Sequence, residues 1–347
     1  MGEMEIMAVL KAAFAVTTAV ALMLLMSYWA AGRARPLLDD ATRTTLVKQG
    51  LAYSFLDLPA GTVHYRLEGP ADGPLVVLVH GFSVASFVWN DYFDPLTRAG
   101  YRVLAYDNYG RGFSDRPKGP YNADLSDTLL ANLLAAVAPD EKADLVGYSL
   151  GGATVTIFAA RHSDTVRSLT LIAPAGLGVA PSSSNVEMLK RPLVGDWIVR
   201  MFGLKIFHGA AAEDAKAAPN PARFLADFDR QMDYRGYGEA LLSTLRTYPL
   251  ATSQAAYAEA GASSRPVMVI WGEADTTVPF TNAKQLMALM PQAKLYSYEK
   301  FGHNIAFAQA PLVSDLIKQF LASLAEPVPG AEPPAMRLEA RPVQAVK

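Results

Sequence analysis

A chain of 347 residues is long enough for one large α/β domain carrying an inserted subdomain, or for two ordinary domains. Its 31 basic and 33 acidic residues leave a formal net charge of -2, and no basic run is interleaved with aromatics, so nothing suits a nucleic-acid partner. With no cysteine, disulfides, thiolate nucleophiles and Cys-ligated metals are excluded, while the redox compartment stays open.

Between Lys11 and Arg33 runs AAFAVTTAVALMLLMSYWAAG, 21 residues without charge or proline. That matches the length a helix needs to cross a hydrocarbon core of ~30 Å. Tyr28 and Trp29 stand near one end, where amphipathic rings favour the headgroup layer. A cleaved signal peptide is the competing reading, supported by the small residues Ala30, Ala31 and Gly32. Against it stand the length of the run and the acidic Glu3 and Glu5 ahead of it. A single-pass anchor over residues 1–35 is therefore expected. Arg33, Arg35, Arg43 and Lys48 after the span outnumber Lys11 before it, which puts the bulk of the chain on the cytoplasmic side.

Residues 33–50 are polar and charged and read as a linker. AYSFLDLPAGTVHYR (52–66) has the pattern of a hairpin around Pro59-Ala60-Gly61. Six β-branched runs then read as strands buried on both faces: 74–81, 101–107, 143–149, 168–174, 266–272 and 293–299. Helical stretches such as 125–138 and 151–162 lie between them, so the alternation predicts βαβ units in a mainly parallel sheet covered on both sides. The alternation breaks at 177–264, where short apolar helix-like pieces such as 196–207 suggest an insertion over the sheet. From Glu326 the proline density predicts disorder. No internal repeat is visible.

Gly147-Tyr148-Ser149-Leu150-Gly151 matches G-x-S-x-G and sits between a strand-like and a helix-like run. A serine on such a turn is held in a strained backbone, with its hydroxyl at a helix N-terminus where anions are favoured. A hydroxyl becomes a nucleophile only when a base takes its proton. Of the five histidines, His64 lies in the hairpin, His162 ends a helix and His208 is in the insertion, while His80 ends a strand in HGF. His303 alone follows the last strands, in the loop FGHN. Asp275, just past the fifth buried strand in WGEADTTVP, supplies a carboxylate to orient the base, with Glu273 as a nearby rival. Taken by itself, Asp275 reads equally well as the cap of a helix beginning near Pro279. The order Ser149, Asp275, His303 is that of nucleophile, acid and base on this kind of sheet. The amides of Leu150 and Phe82 are the expected oxyanion donors, with His80 buttressing the loop. The glycine-rich loop YDNYGRGFSDRP (106–117) has no P-loop lysine; Asp107 and Arg111 are expected to hold it beside the site.

Together HGF, DNYGRGFSDRP, GYSLGG, WGEAD and FGHN resemble the α/β-hydrolase superfamily over about residues 50–325. The resemblance implies an eight-stranded sheet with one antiparallel strand, a cap after the sixth strand, and no metal or organic cofactor. The implied organisation is a hydrolase core in two parts, 36–176 and 265–325, a helical cap at 177–264, and a Pro-rich tail at 326–347. An anchor joined to HGFS and LIAPAGLG makes the chain similar to membrane-bound monoacylglycerol-lipase-type members. Haloalkane dehalogenases and epoxide hydrolases place an aspartate where Ser149 stands. Carbon–carbon bond hydrolases share an APAGLG-like segment, but usually carry a GPG-type loop after HG and a tryptophan after the histidine, where this chain has FSV and Asn304. Cofactor-free haloperoxidase-like members share the triad. Where the superfamily often has an acidic residue ahead of a proline, Gln309-Ala310-Pro311 stands instead.

The expected activity is cleavage of apolar or lipid-like carboxylic esters through an acyl-enzyme, with the membrane as a partner surface. Ser83, Tyr148, Trp197, Met201 and Phe202 are the candidate substrate contacts. The cap side chains among them could equally lie on a membrane or form the cap's own core. A non-catalytic scaffold on the same fold is the rival class.

Overall fold

Five of the six apolar runs become inner strands of one eight-stranded sheet in the computed structural model, which describes residues 2–179 and 184–324; the sixth, 293–299, is instead its half-buried edge strand, since no further strand covers its outer side. Helices α1 (Glu3–Ala31) and α2 (Asp40–Lys48) come first, then β1 (Ser54–Leu58) and β2 (Gly61–Glu68), joined by a two-residue turn. Next come β3 (Leu75–Val79), α3 (Asn90–Arg98), β4 (Arg102–Tyr106), α4 (Ala123–Val137), β5 (Ala143–Tyr148), α5 (Leu150–Arg161) and β6 (Val166–Ile172). Helices α6 (Ser184–Lys190), α7 (Val194–Ala215), α8 (Pro221–Met232), α9 (Tyr237–Thr247) and α10 (Gln254–Gly261) form the insertion. The chain re-enters the sheet with β7 (Val267–Gly272), α11 (Asn282–Leu289) and β8 (Ala293–Tyr298), and ends on α12 (Ile305–Ala308) and α13 (Ala310–Ala322). The Pro-rich tail lies outside the described residues.

The strand order is β1-β2-β4-β3-β5-β6-β7-β8. β2 runs antiparallel to both its neighbours, and every other neighbouring pair is parallel. Every residue of β3, β5 and β7 is buried, which is why these segments read as unbroken apolar runs rather than alternations. β3 is followed in sequence by β4 on one side and flanked by β5 on the other. The strand order therefore reverses at β3, and a crevice opens at the carboxyl ends of β3 and β5, where ligands collect in open α/β sheets.

The linker reading of 33–50 is corrected by α2. Asp39 caps this helix by accepting the Thr42 N–H at 2.8 Å, and the buried Arg43 forks between Asp40 and Asp115. The helix carries few apolar residues, and besides this cap and ion pair only Leu46 packs, against Leu38, Ala52 and Phe113, so no hydrophobic period announces it. Just upstream, Arg235 donates from its guanidinium to the carbonyls of Arg33 and Arg35, and from its backbone N–H to that of Pro36. α1 is long and apolar enough to cross a membrane, and its most apolar window is not covered by the rest of the protein.

Candidate active site

The turn from β5 into α5 positions Ser149. Its backbone lies at φ 55°, ψ -117°, a region that non-glycine residues rarely occupy. Ser149 N–H donates to Ile172 O at 2.9 Å, and its own carbonyl accepts from Ala175 N–H at 3.0 Å, so both sides of the turn are tied to the chain after β6. The flanking glycines are sterically required. A Cβ on Gly147 would lie 2.3 Å from Gly151 O, and one on Gly151 would lie 2.1 Å from Val79 O.

Three residues distant in sequence meet at this rim. His303 Nε2 stands 2.9 Å from Ser149 Oγ, and His303 Nδ1 stands 2.8 Å from Asp275 Oδ2. Asp275 also accepts the amides of Thr277 (2.8 Å) and Val278 (2.9 Å) on its other oxygen. The loop-capping role and the histidine-orienting position thus belong to one carboxylate, and each fixes the other. The rival Glu273 faces away, accepting the Ser297 hydroxyl at 2.6 Å. Ser149 and Asp275 are buried, and His303 remains partly open. The Tyr148 ring packs on the His303 imidazole with centroids 5.3 Å apart, and Phe307 meets Tyr148 edge-on at 6.3 Å. Burial pushes the Tyr148 phenol well above its ordinary range, so it is neutral and can only polarise or pack.

The loop after β3 closes the other side. A Cβ on Gly81 would touch Tyr148 at 3.1 Å and Ser149 Cβ at 3.4 Å, which puts the backbone of 80–82 against the nucleophile turn. Among the described residues, neither Phe82 N–H nor Leu150 N–H finds an acceptor. Two free amides beside Ser149 Oγ are what a developing oxyanion needs. His80 is fully buried; its Nδ1–H donates to Gly81 O at 2.8 Å, and its Nε2 accepts Asn108 N–H at 2.9 Å. Burial lowers its pKa to about 4, so it is a neutral strut.

Several residues that sequence reasoning did not single out, or placed elsewhere, hold this loop. Arg111 Nε donates to Phe82 O at 3.0 Å, and its Nη2 reaches Thr244 Oγ1 on α9 at 2.8 Å. Burial lowers Arg111 to about 10, which leaves it charged at neutral pH. The Ser83 carbonyl, rather than its hydroxyl, joins the network: it accepts Tyr237 Oη–H at 2.7 Å and Gln231 Nε2–H at 3.0 Å. Gln231 Oε1 in turn accepts Gly112 N–H. His64 in the hairpin is buried, donating from Nδ1 to Asp107 at 2.8 Å and accepting Tyr53 N–H on Nε2. Burial alone would raise Asp107, but His64 and the amides of Ser86 and Phe113 hold its carboxyl far below the usual range.

The cap residues separate into two groups. The carboxyl end of α7 faces the site, because Asp214 is close enough for its charge to act on both His303 and Tyr148. Loss of hydration raises the Asp214 carboxyl, and His303 opposes that shift. Trp197, Met201 and Phe202 lie 12 to 17 residues earlier on the same helix. That spacing is about 18–26 Å along its axis. The structure therefore does not bring them to the triad. Their neighbourhood is the end of α1, where the Arg200 guanidinium stacks on Tyr28 at 4.0 Å.

A family model described as the alpha/beta hydrolase fold matches residues 74–309, and the chain belongs to that family. Among its relatives, a 2-hydroxy-6-oxononadienedioate/2-hydroxy-6-oxononatrienedioate hydrolase of Comamonas testosteroni is 26% identical over 268 residues, 74% of this chain and 91% of that protein. A bifunctional esterase/perhydrolase of Acinetobacter calcoaceticus is 25% identical over 272 residues, 75% of this chain and 96% of that protein. A solved structure described as a membrane phospholipase A, a bacterial virulence factor, shares the fold with a TM-score of 0.65 at 22% identity, covering 92% of this chain and 99% of that one.

Proposed function

We propose that this α/β hydrolase cleaves carboxylic esters of apolar, lipid-like molecules, and that α1 is a retained membrane anchor. The observation that carries the chemistry is the linked pair of short contacts from Ser149 Oγ to His303 and on to Asp275. In the first half-reaction, His303 Nε2 takes the Ser149 proton as Oγ attacks the ester carbonyl carbon. The carbonyl π pair moves onto oxygen, where the amides of Phe82 and Leu150 receive it. Collapse breaks the bond to the alkoxy group, and His303 returns its proton to the departing alcohol. Water then attacks the acyl-enzyme with His303 again as base. The acid is released and the serine hydroxyl restored. No cofactor enters these steps.

The lipid-like substrate is supported by an uncovered apolar helix ahead of the domain and by the likeness to a protein described as a membrane phospholipase A. The basic residues after α1 support a cytoplasmic catalytic domain, which protease protection in inverted and right-side-out vesicles checks. A fluorophosphonate probe tests the chemistry. Wild type is expected to label, and Ser149→Ala to remain unlabelled while still folded. An unlabelled, folded wild type sinks the proposal and favours a scaffold.

The relatedness to a carbon–carbon bond hydrolase supports a second reading, in which the same triad cleaves a vinylogous diketone. Turnover of such a diketone with little hydrolysis of a p-nitrophenyl ester or a monoacylglycerol would select it.

A further inference from the structure

Outside α1 and the segment 37–53, every large apolar side chain that stands exposed among the described residues belongs to the stretch 179–206 of the cap. α7 concentrates them. Gly195, Val199 and Gly203 bury one side of the helix, while Val194, Ile198, Phe202 and Ile206 form an i, i+4 row beside it. Three of those four are exposed, and Ile198 is half-buried. A helix apolar on its buried side and again on an open side lacks the polar outer face expected in water.

The turn that opens α7 is odder still. Leu193 is 84% exposed, yet it is held at φ +66°, a conformation costly for a branched side chain. A polar clamp imposes it. Leu193 N–H donates to Asp196 Oδ2 at 2.9 Å, and Arg246 binds that carboxylate together with the carbonyls of Leu189, Lys190 and Arg191. An ion pair and several hydrogen bonds are thus committed to holding a leucine out in solvent beside two basic residues. The same helix touches the end of α1, through the stack of Arg200 on Tyr28, and Arg200 is itself fixed by Glu239. Tyr28 and Trp29 mark the headgroup level of a span. Leu193 lies seven residues before Arg200, about 10 Å along the helix axis.

We infer that the N-terminal half of α7, with Leu193 at its tip, is immersed in the interfacial layer of the bilayer that α1 crosses. The occupant of this face is lipid. The exposed apolar row lies on the helix that meets the end of α1, the juxtamembrane backbone is fastened to the cap by Arg235, and the exposed Arg191 suits anionic headgroups. The substrate class this implies is an ester resident in the membrane. The inference rests on the anchor reading of α1 given above.

The absence of native cysteine makes the test direct. Single cysteines at Leu193, Ile206, Val16 and Glu259 are labelled with a polarity-sensitive fluorophore in the full chain, reconstituted in phosphatidylcholine/phosphatidylglycerol vesicles. Labels at Leu193 and Ile206 are expected to shift to the blue and to be quenched by nitroxide-bearing lipids, as Val16 in the span is, while Glu259 on α10 is not. If Val16 is quenched and positions 193 and 206 behave like 259, the inference falls and the anchor stands. If 193 and 206 shift to the blue without lipid quenching, protein covers the face and the inference falls. If Val16 itself escapes quenching, the anchor reading fails and this one with it. In the double variant Leu193→Asp, Ile206→Glu, hydrolysis of a vesicle-borne ester is expected to drop about tenfold or more. A water-soluble ester should be turned over at the wild-type rate. Equal losses on both substrates, or on neither, overturn the inference.

Discussion

The nucleophile turn and the loop opposite it are built by different physics. On the sheet side, Ser149 is set by backbone packed against backbone: Gly147, Gly151 and the carbonyl of Val79 leave no room for a methyl group. On the cap side, the loop carrying Phe82 N–H is set by side chains that reach in and take its carbonyls: Arg111 on Phe82 O, and Tyr237 and Gln231 on Ser83 O. Close-packed backbone has almost no soft coordinate, whereas one hydrogen bond contributes about 1 kcal/mol net. The first side should therefore fail all at once and the second by degrees.

The sharpest break is on the sheet side. On the proposed mechanism, Ser149→Ala lowers kcat by roughly 10⁴–10⁶ while leaving the unfolding free energy from urea titration within about 1 kcal/mol of wild type. Gly151→Ala should do the opposite kind of damage. Its Cβ would sit 2.1 Å from Val79 O, so the strand must move and the yield of folded protein should collapse. A folded, active Gly151→Ala enzyme would mean that the turn is far softer than its packing implies.

The buried strut between the two regions responds to pH. Burial holds the His80 pKa at about 4 in the folded protein, against an ordinary value of about 6.5. Between those values the unfolded chain takes up the proton and the folded chain does not, so stability falls as pH falls through that window. The loss from this group reaches about 3 kcal/mol and is complete once the folded state also protonates. Asp107, also held low, adds a further loss below about 3.8, its unfolded value. Urea titrations from pH 7 to pH 4 on wild type and His80→Gln check the sign. The variant should show a markedly flatter dependence in that range; parallel curves would remove His80 as the cause.

On the cap side, Tyr237→Phe deletes the 2.7 Å bond to Ser83 O and leaves Gln231 holding the same carbonyl. A stability loss of about 1 kcal/mol is expected, with kcat reduced about tenfold and KM for a short ester unchanged, because the loop's free amide drifts from its aim. A loss in KM alone would show that Tyr237 shapes the pocket rather than the loop.

How much of this was legible follows the same division. Ser149 and Asp275 sit just past the ends of the buried strands β5 and β7, and His303 follows the half-buried edge strand β8, so strand-like runs followed by loop motifs were enough to point to them as candidates. Of the two carboxylates the sequence offered, Asp275 stands at His303 and Glu273 is turned to Ser297. Gln231, Tyr237 and Thr244 carried no signal, because their partners, the Ser83 carbonyl for the first two and the Arg111 guanidinium for the third, lie well over a hundred residues away, and they look like ordinary helix residues. α2 was missed for a similar reason: an ion pair to Asp115 and the single buried Leu46 hold it, too little for a hydrophobic period to show. Trp197, Met201 and Phe202 looked like acyl-pocket residues because aromaticity in a cap suits a pocket or a lipid surface equally. Only the length of α7 separates the two.

The smallest expected effect probes a cap carboxylate within electrostatic reach of the base. Asp214 lies near the end of α7, within electrostatic reach of His303, and loss of hydration raises its carboxyl above the ordinary value. In its ionised form it puts negative charge beside the cleft. An ester with a carboxylate near its scissile bond should therefore meet repulsion that a neutral ester of equal size does not. Asp214→Asn removes the charge and keeps the shape, so the ratio of kcat/KM for the anionic to the neutral ester should rise a few-fold. The rise should shrink as ionic strength increases, because a charge reached by solvent is screened over about 10 Å at 0.1 M salt. An unchanged ratio at low salt would mean that the carboxylate points away from bound substrate, and that the cap governs the site only through the carbonyls it holds.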